Sequence, residues 1–456
     1  MREDDVNEKP NDKAWTARSA GVLLHVTSLP QGCTWPDADR FADLAAAAGL
    51  GVWQILPVGP VDSQGSPYQP SSAFAGNDAL FAQGARPDDA VFARYRDDNA
   101  DWLADYALFV ALDREFGGVA WNRWPEPLRE REPTALREAA RRHRSLVRRV
   151  ARAQCAFDLR WAAFKRGLND RGIRLFGDAP LFLGHHSADV WTHRELFEID
   201  ADGACAASMG VPPDAYAADG QWWGFPPYRW DAMAKQDFAW WRRRFEVQAR
   251  RFDLVRLDHF RGFAAYWRIP RGAKAGEGEW ITGPGRAALD AITPVLHGAQ
   301  LVAEDLGHIT PDVIALRESL GIPGMRVLQF GFDGDLQNLH LPHRHAPDSV
   351  CYTGTHDNPT TLGWWRSLDD DARAYVARCM GQDDPPMPQG LVDWAWSSPA
   401  PLSIVPLQDL LGLDDAARMN VPGTESGNWR WRFSWDQVSD DFAVRLRESL
   451  ARNGRV

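Results

Sequence analysis

In this chain of 456 residues, three acidic residues stand at or just after the ends of short apolar runs. Asp258 ends LVRLD, Glu304 ends LVAE, and Asp357 follows CYTGTH. Continuous apolar runs of four or five residues read as strands buried on both faces. If such strands close into a barrel, polar residues at their carboxyl ends converge over its mouth. One acid in such a place is as well explained as a helix cap, whereas three after three different strands form a cluster. Cleaving a glycosidic bond takes paired carboxyl groups, one ionised to attack the anomeric carbon and one protonated to donate to the departing oxygen. Arg256 lies two residues before Asp258, so on a strand both side chains point the same way, and a guanidinium there favours the ionised carboxylate. Asp258 therefore reads as the nucleophile and Glu304 as the acid. A structural Arg256–Asp258 ion pair is the plainer alternative.

Other chemistries lack support. His25, His259, His308 and His356 fall at or near strand ends, but no H-x-x-x-H or H-E-x-x-H spacing occurs, and no metal site is expected. The five cysteines form no C-x-x-C pair, which fits a reducing compartment and argues against a disulfide framework or a zinc site. There is no G-x-S-x-G for a serine nucleophile. The Gly-rich stretch 272–285 lacks G-K-[ST]; with its single Trp280 it suits a lid rather than a phosphate loop. No cofactor is called for.

The elements that must position the acids follow from eight apolar runs, at 21–26, 52–58, 173–177, 254–257, 301–303, 325–332, 349–352 and 403–407. Helical patterns separate most of them. One starts near Asp37 or Asp39 as cap and stops at Gly49; another covers 310–320. Eight buried strands alternating with helices predict an α/β protein, a (β/α)8 TIM barrel. Residues 1–18 read as a loose tail and 19–456 as one catalytic barrel with two insertions. The first, 61–172, is mostly helical, with periodicity over 101–116 and 134–166; the second, 181–253, is rich in Gly, Pro and Trp and reads as substrate-binding loops. Both leave from strand carboxyl ends. An Arg-dense stretch runs from Arg137 to Arg152 with glutamates alongside, and reads as a solvated helix face.

Composition narrows the partners. Lys and Arg total 51 against 62 Asp and Glu, a net charge of −11, which disfavours nucleic acid. The first residues are polar with no apolar h-region, and no apolar run approaches a membrane span, so the expectation is a cytoplasmic protein with no membrane partner. Trp (22) outnumbers Phe (21) and Tyr (8). Indoles bring flat, half-polar surfaces, which suit either sugar rings or anchors in a large core.

The motifs resemble the amylomaltase family, the 4-α-glucanotransferases or disproportionating enzymes of the α-amylase superfamily. In order they include SAGVLLHVTSLP, WQILPVGP, SPYQPSSAFAGN, GDAPLFL, GVPPD, WWGFPPYRW, VRLDHFRGF, AEDLG, YTGTHDN, ARMNVPGT and GNWRWRF, spanning roughly 19–433. Residue by residue, the resemblance implies a nucleophile at Asp258 with Arg256 beside it, the acid/base at Glu304 and a transition-state stabiliser at Asp357. It implies sugar contacts from His356, Asp178, Asp214, Trp223, Tyr68, Ser66 and Asn428. Two departures stand out: Phe225 replaces the Asn of the commoner W-G-N-P form and supplies no amide hydrogen bond, and the lid segment is one residue short.

The implied activity is retaining transfer of α-1,4-glucan segments to a sugar 4-hydroxyl, with maltooligosaccharides as partners, glucose as an acceptor, and no metal or cofactor. The same carboxylates would serve an α-1,4-glucan hydrolase, and a barrel of this kind can also bind glucan without catalysis. No strand-rich segment remains after the eighth run for a C-terminal β-sandwich domain.

Overall fold

A computed structural model of the chain describes residues 18–84, 86–213, 218–424 and 426–456. Of the expected tail, residues 1–17 lie outside these; Arg18 is held by a hydrogen bond to the Trp396 carbonyl at 2.9 Å. In chain order the strands are β1 (Ser19–Leu23), β2 (Val52–Gln54), β3 (Arg174–Ala179), β4 (Ala207–Val211), β5 (Gln221–Trp222), β6 (Leu254–Leu257), β7 (Ala265–Pro270), β8 (Glu279–Thr282), β9 (Gln300–Ala303), β10 (Gly324–Val327), β11 (Ser349–Tyr352) and β12 (Leu402–Pro406).

Eight of these close a parallel barrel in the order β1-β12-β11-β10-β9-β6-β3-β2. Each contains residues of one of the eight apolar runs. Alternation along the strands divides their side chains between two layers. Leu23, Val52, Phe176, Leu254, Val302 and Met325 belong to a cluster that fills the barrel interior with Val350, Tyr352, Leu402 and Ile404. Their neighbours Val22, Val255, Cys351 and Val405 belong to the larger cluster beneath the helices. Fully buried strands of this kind need no polar face, which is why they read as unbroken apolar runs. Packing between layers is close: a Cβ added to Gly177 on β3 would fall 2.4 Å from the Phe252 ring.

The helix between β1 and β2 is Trp35–Ala48, with Thr34 at its N-cap position. Asp37, expected as a possible cap, instead lies in the first turn, where its carboxylate accepts the Gln31 N–H and the Trp435 indole N–H, each at 2.8 Å. Pro36 explains the shift, since proline is favoured within the first helical turn. Gly49 ends the helix in the left-handed region at φ 84°, as its position predicts.

The 61–172 segment carries helices Asp89–Asp98, Leu103–Glu115, Pro133–Arg142 and Arg144–Asp170, the last of which leads into β3. The 181–253 segment, read as loops, also holds strands and helices. Its β4 and β5 join β7 and β8 in a four-stranded antiparallel sheet ordered β5-β4-β7-β8. The expected lid is the turn of the β7–β8 hairpin within this sheet. Among the described residues no strand follows β12; helix Phe442–Arg452 packs against Trp35–Ala48.

Candidate active site

The barrel register brings the acids together. Asp178 on β3 pairs in register with Arg256 on β6, and Leu257 on β6 pairs with Ala303 on β9. The next residues along, Asp258 and Glu304, therefore leave adjacent parallel strands at the same level. Backbone bonds continue the ladder past the strand ends: Asp258 N–H donates to the Ala179 carbonyl at 3.1 Å and Glu304 N–H to the Leu257 carbonyl at 3.0 Å.

Arg256 organises the acidic side. Its guanidinium donates to Asp178 Oδ2 at 2.6 Å and approaches Asp258 Oδ1 at 2.8 Å. Burial works against its charge, but Asp178 and Asp258 outweigh burial and hold the guanidinium protonated well beyond its ordinary range. The Tyr68 hydroxyl donates to the same Asp178 oxygen at 2.7 Å. Asp178 Oδ1 is buried and has no hydrogen-bond partner.

Asp258 keeps 27% of its side chain exposed, enough for a ligand to reach it. Arg256 favours its ionised form, as its place on the strand predicts. Burial has the larger effect, and Asp178, Glu304 and Asp357 add to it, so that Asp258 is pushed up to about 8. Burial also raises Glu304, against Arg256 and two backbone donors. Those donors are the N–H groups of His259, 2.8 Å from Oε2, and Leu306, 2.9 Å from Oε1. His259 takes a left-handed backbone at φ 52°, uncommon for a residue with a side chain. That turn follows Asp258 directly and aims the His259 N–H at Glu304. Its ring stands edge-on to Trp223 at 5.0 Å, and its buried Nε2 is unpartnered.

Asp357 follows β11 in a turn pinned by Asn358, whose side-chain Oδ1 accepts the Thr355 N–H at 2.9 Å. Its carboxylate is 44% exposed, lies 3.3 Å from His356 Nε2 and accepts the Asn420 amide at 2.6 Å. Arg418 donates to the Asp357 carbonyl at 2.9 Å. His356 is lowered chiefly by burial, and its ring stacks on Tyr68 with centroids 5.1 Å apart. Tyr68 thus joins the Asp178–Arg256–Asp258 chain to the His356–Asp357 pair.

The remaining expected contacts fall farther out. Trp223 is half-buried, with its indole N–H on Gln221 at 3.0 Å. Ser66 and Asn428 line a separate hollow of about 210 Å³ with Trp429 and Asn420. Asn428 braces its own loop, accepting the Val421 N–H at 2.9 Å and donating to the Thr424 carbonyl at 3.1 Å. Phe225 packs against the large core cluster. Trp280 on β8 lies under the Arg261 guanidinium, 3.9 Å from its ring centroid, and so ties the hairpin to the turn beyond Asp258. Asp214 lies outside the described residues. Among the described residues no group of three or more His, Cys, Asp or Glu is arranged to hold a metal ion, and no helix is long and apolar enough to cross a membrane.

The profile of a family described as 4-alpha-glucanotransferase matches residues 24–86 and 79–438. The chain belongs to the 4-alpha-glucanotransferase family. Membership makes it an enzyme of that type. It is 41% identical to the 4-alpha-glucanotransferase of Thermus thermophilus over 96% of this chain and 99% of the relative. It is 37% identical to the chloroplastic/amyloplastic 4-alpha-glucanotransferase of Solanum tuberosum, over 98% and 87%. Among solved structures, amylomaltase from Streptococcus agalactiae in complex with acarbose superposes with a TM-score of 0.91 at 29% identity, covering 96% and 99%. Amylomaltase from Corynebacterium glutamicum shares the fold at 19% identity, with a TM-score of 0.77 over 96% and 75%. The sequence pattern gives no role to Asn420 or to the His259 N–H. A loop asparagine carries no periodic signal, and a backbone donor carries none at all.

Proposed function

We propose that the enzyme transfers segments of α-1,4-glucan to the 4-hydroxyl of an acceptor sugar, glucose included, by a retaining double displacement through a glucosyl–Asp258 intermediate. The observation that carries this reading is the pairing of β6 with β9, which sends Asp258 and Glu304 from adjacent strands at one level. Parallel strands lie about 4.8 Å apart, the same scale as the roughly 5–5.5 Å separation of a retaining carboxyl pair.

In the first step Asp258 attacks the anomeric carbon, the glycosidic bond breaks, and Glu304 gives its proton to the departing 4-oxygen. In the second, Glu304 takes the proton of the acceptor 4-hydroxyl, that oxygen attacks the anomeric carbon, and Asp258 leaves as carboxylate. The reactive form holds one proton between the two acids. The direct contact of Arg256 with Asp258 favours that proton on Glu304. Asp357, held by Asn420 and close to His356, would bind donor hydroxyls more tightly in the transition state than in the ground state. Asp178 Oδ1 and His259 Nε2 are buried without hydrogen-bond partners, so either would meet a sugar hydroxyl only if the mouth opened around it. Trp223, Ser66, Tyr68 and Asn428 would extend the glucan path; Asp214, expected to join them, lies outside the described residues. Five free cysteines suit work in a reducing cytoplasm.

Incubation with maltotriose tests the reading. Transfer yields longer maltooligosaccharides together with glucose. Glucose and maltose alone would mean hydrolysis, and an unchanged substrate would mean that maltotriose is the wrong substrate or that the barrel only binds glucan.

A further inference from the structure

The stretch of arginines that reads as a plain solvated face has a shape of its own. Helix Arg144–Asp170 forms one wall of a groove of about 880 Å³, a size that suits a small-molecule ligand. Small residues on this helix, Ser145, Ala153 and Ala156, make the floor, and longer ones stand around it. Seven arginines line the groove against a single acid, Asp78. Some are neutralised: Arg142 pairs with Glu115 at 2.9 Å, and Arg148 and Arg152 share Asp89. Among the described residues Arg86, Arg144, Arg149 and Arg160 have no acidic partner. The Arg160 Nε is buried and unpartnered, although its other end reaches the Gly84 carbonyl.

This concentration of positive charge is unfavourable in the free protein. Arg144, Arg148 and Arg152 recur at a spacing of four on one helix, where like charges repel. The rest of the chain is acidic, with a net charge of −11, so the groove is a local positive well rather than part of a basic protein. Guanidinium forks match phosphate oxygens in geometry as well as charge. A neutral glucan has no use for them, and none of the groove residues belongs to the carboxylate site.

We propose that this groove binds a small, multiply charged phosphate compound, held by Arg86, Arg144, Arg149 and Arg160. The phosphate is either free or borne on a sugar. The test is titration calorimetry of the full chain at low ionic strength without divalent metal, with inorganic pyrophosphate in one arm and glucose 6-phosphate in the other. The expected result is saturable binding of at least one probe that weakens with added salt and is indifferent to maltotriose. Substituting both exposed residues, Arg144→Glu with Arg149→Glu, weakens it by about tenfold or more while transfer activity, and hence the fold, persists. Pyrophosphate alone binding identifies a free polyphosphate, and glucose 6-phosphate alone identifies a sugar-borne one. The proposal is overturned if neither probe saturates at millimolar concentration, if the double variant binds equally well, if maltotriose displaces the probe, or if only a single-stranded oligonucleotide binds.

Discussion

At the scale of single residues, the site sets the Arg256 guanidinium among carboxylates, and burial raises the two that do the chemistry in the proposed mechanism. For Asp258 the stability consequence has a definite sign. Burial raises it from 3.8 to about 8 as one of a pair with Glu304, which is raised too, so the folded state binds the proton the pair shares more tightly than the unfolded chain. The stability tied to this group is complete below about 3.8 and is lost as pH rises through about 8. Asp258→Asn removes the ionisation, so this variant should melt higher than the parent, with a larger difference at about pH 8 than at about pH 5, while losing transfer. Scanning calorimetry at both pH values checks it; a lower melting temperature at the higher pH would contradict it. Asn420 makes a second case. Its amide holds Asp357 at 2.6 Å without reaching the reacting carbon in the proposed scheme. Asn420→Ala should lower kcat on maltotriose by on the order of ten- to a hundredfold through misplacement, with the melting temperature nearly unchanged. A kcat equal to that of the parent would remove Asn420 from the account. The three acids and Arg256 were legible because strand ends are marked by where apolar runs stop. Asn420 was not, since its role depends on a loop more than sixty residues away folding back onto Asp357.

At the scale of elements, the barrel strands were readable and the antiparallel sheet was not. The eight barrel strands are buried on both faces, so their composition alone marks them. By contrast β5 is two exposed residues, and β8 is mostly exposed, with Trp280 facing Arg261; neither gives the alternation that marks a half-buried strand. The Gly-rich lid was visible, but β4, which pairs with β7 of the lid hairpin, lies some sixty residues earlier and meets it only in three dimensions. The long helix Arg144–Asp170 has a positioning duty of its own. Gln154 is buried and bonds Gly76 twice, accepting its N–H at 2.8 Å and donating to its carbonyl at 2.9 Å. That bond anchors the segment that began at the Tyr68 loop. Gln154→Leu leaves both backbone groups of Gly76 without these partners, at about 1–3 kcal/mol each. Urea unfolding should show a loss of roughly 2–6 kcal/mol; a loss below about 0.5 kcal/mol, the level of an ordinary surface substitution, would mean the clamp is not made.

At the scale of the whole molecule, a barrel, a helical insertion and a small antiparallel sheet surround one acidic mouth. The tryptophans divide between them. Trp53, Trp121, Trp161, Trp191, Trp241 and Trp396 are fully buried anchors, while Trp222 and Trp280 stand exposed on the sheet beside the mouth. The count therefore reflects both a large core and exposed indoles on the sheet, a division that composition could not make. The central claim is that the glucosyl unit passes through Asp258. Glu304→Gln can still form that bond from α-glucosyl fluoride, whose leaving group needs no acid, but lacks the base that completes transfer. Intact mass spectrometry of this variant, followed by peptide mapping, should find one added glucosyl unit on Asp258. No adduct under turnover conditions, or an adduct on any other residue, would contradict the account.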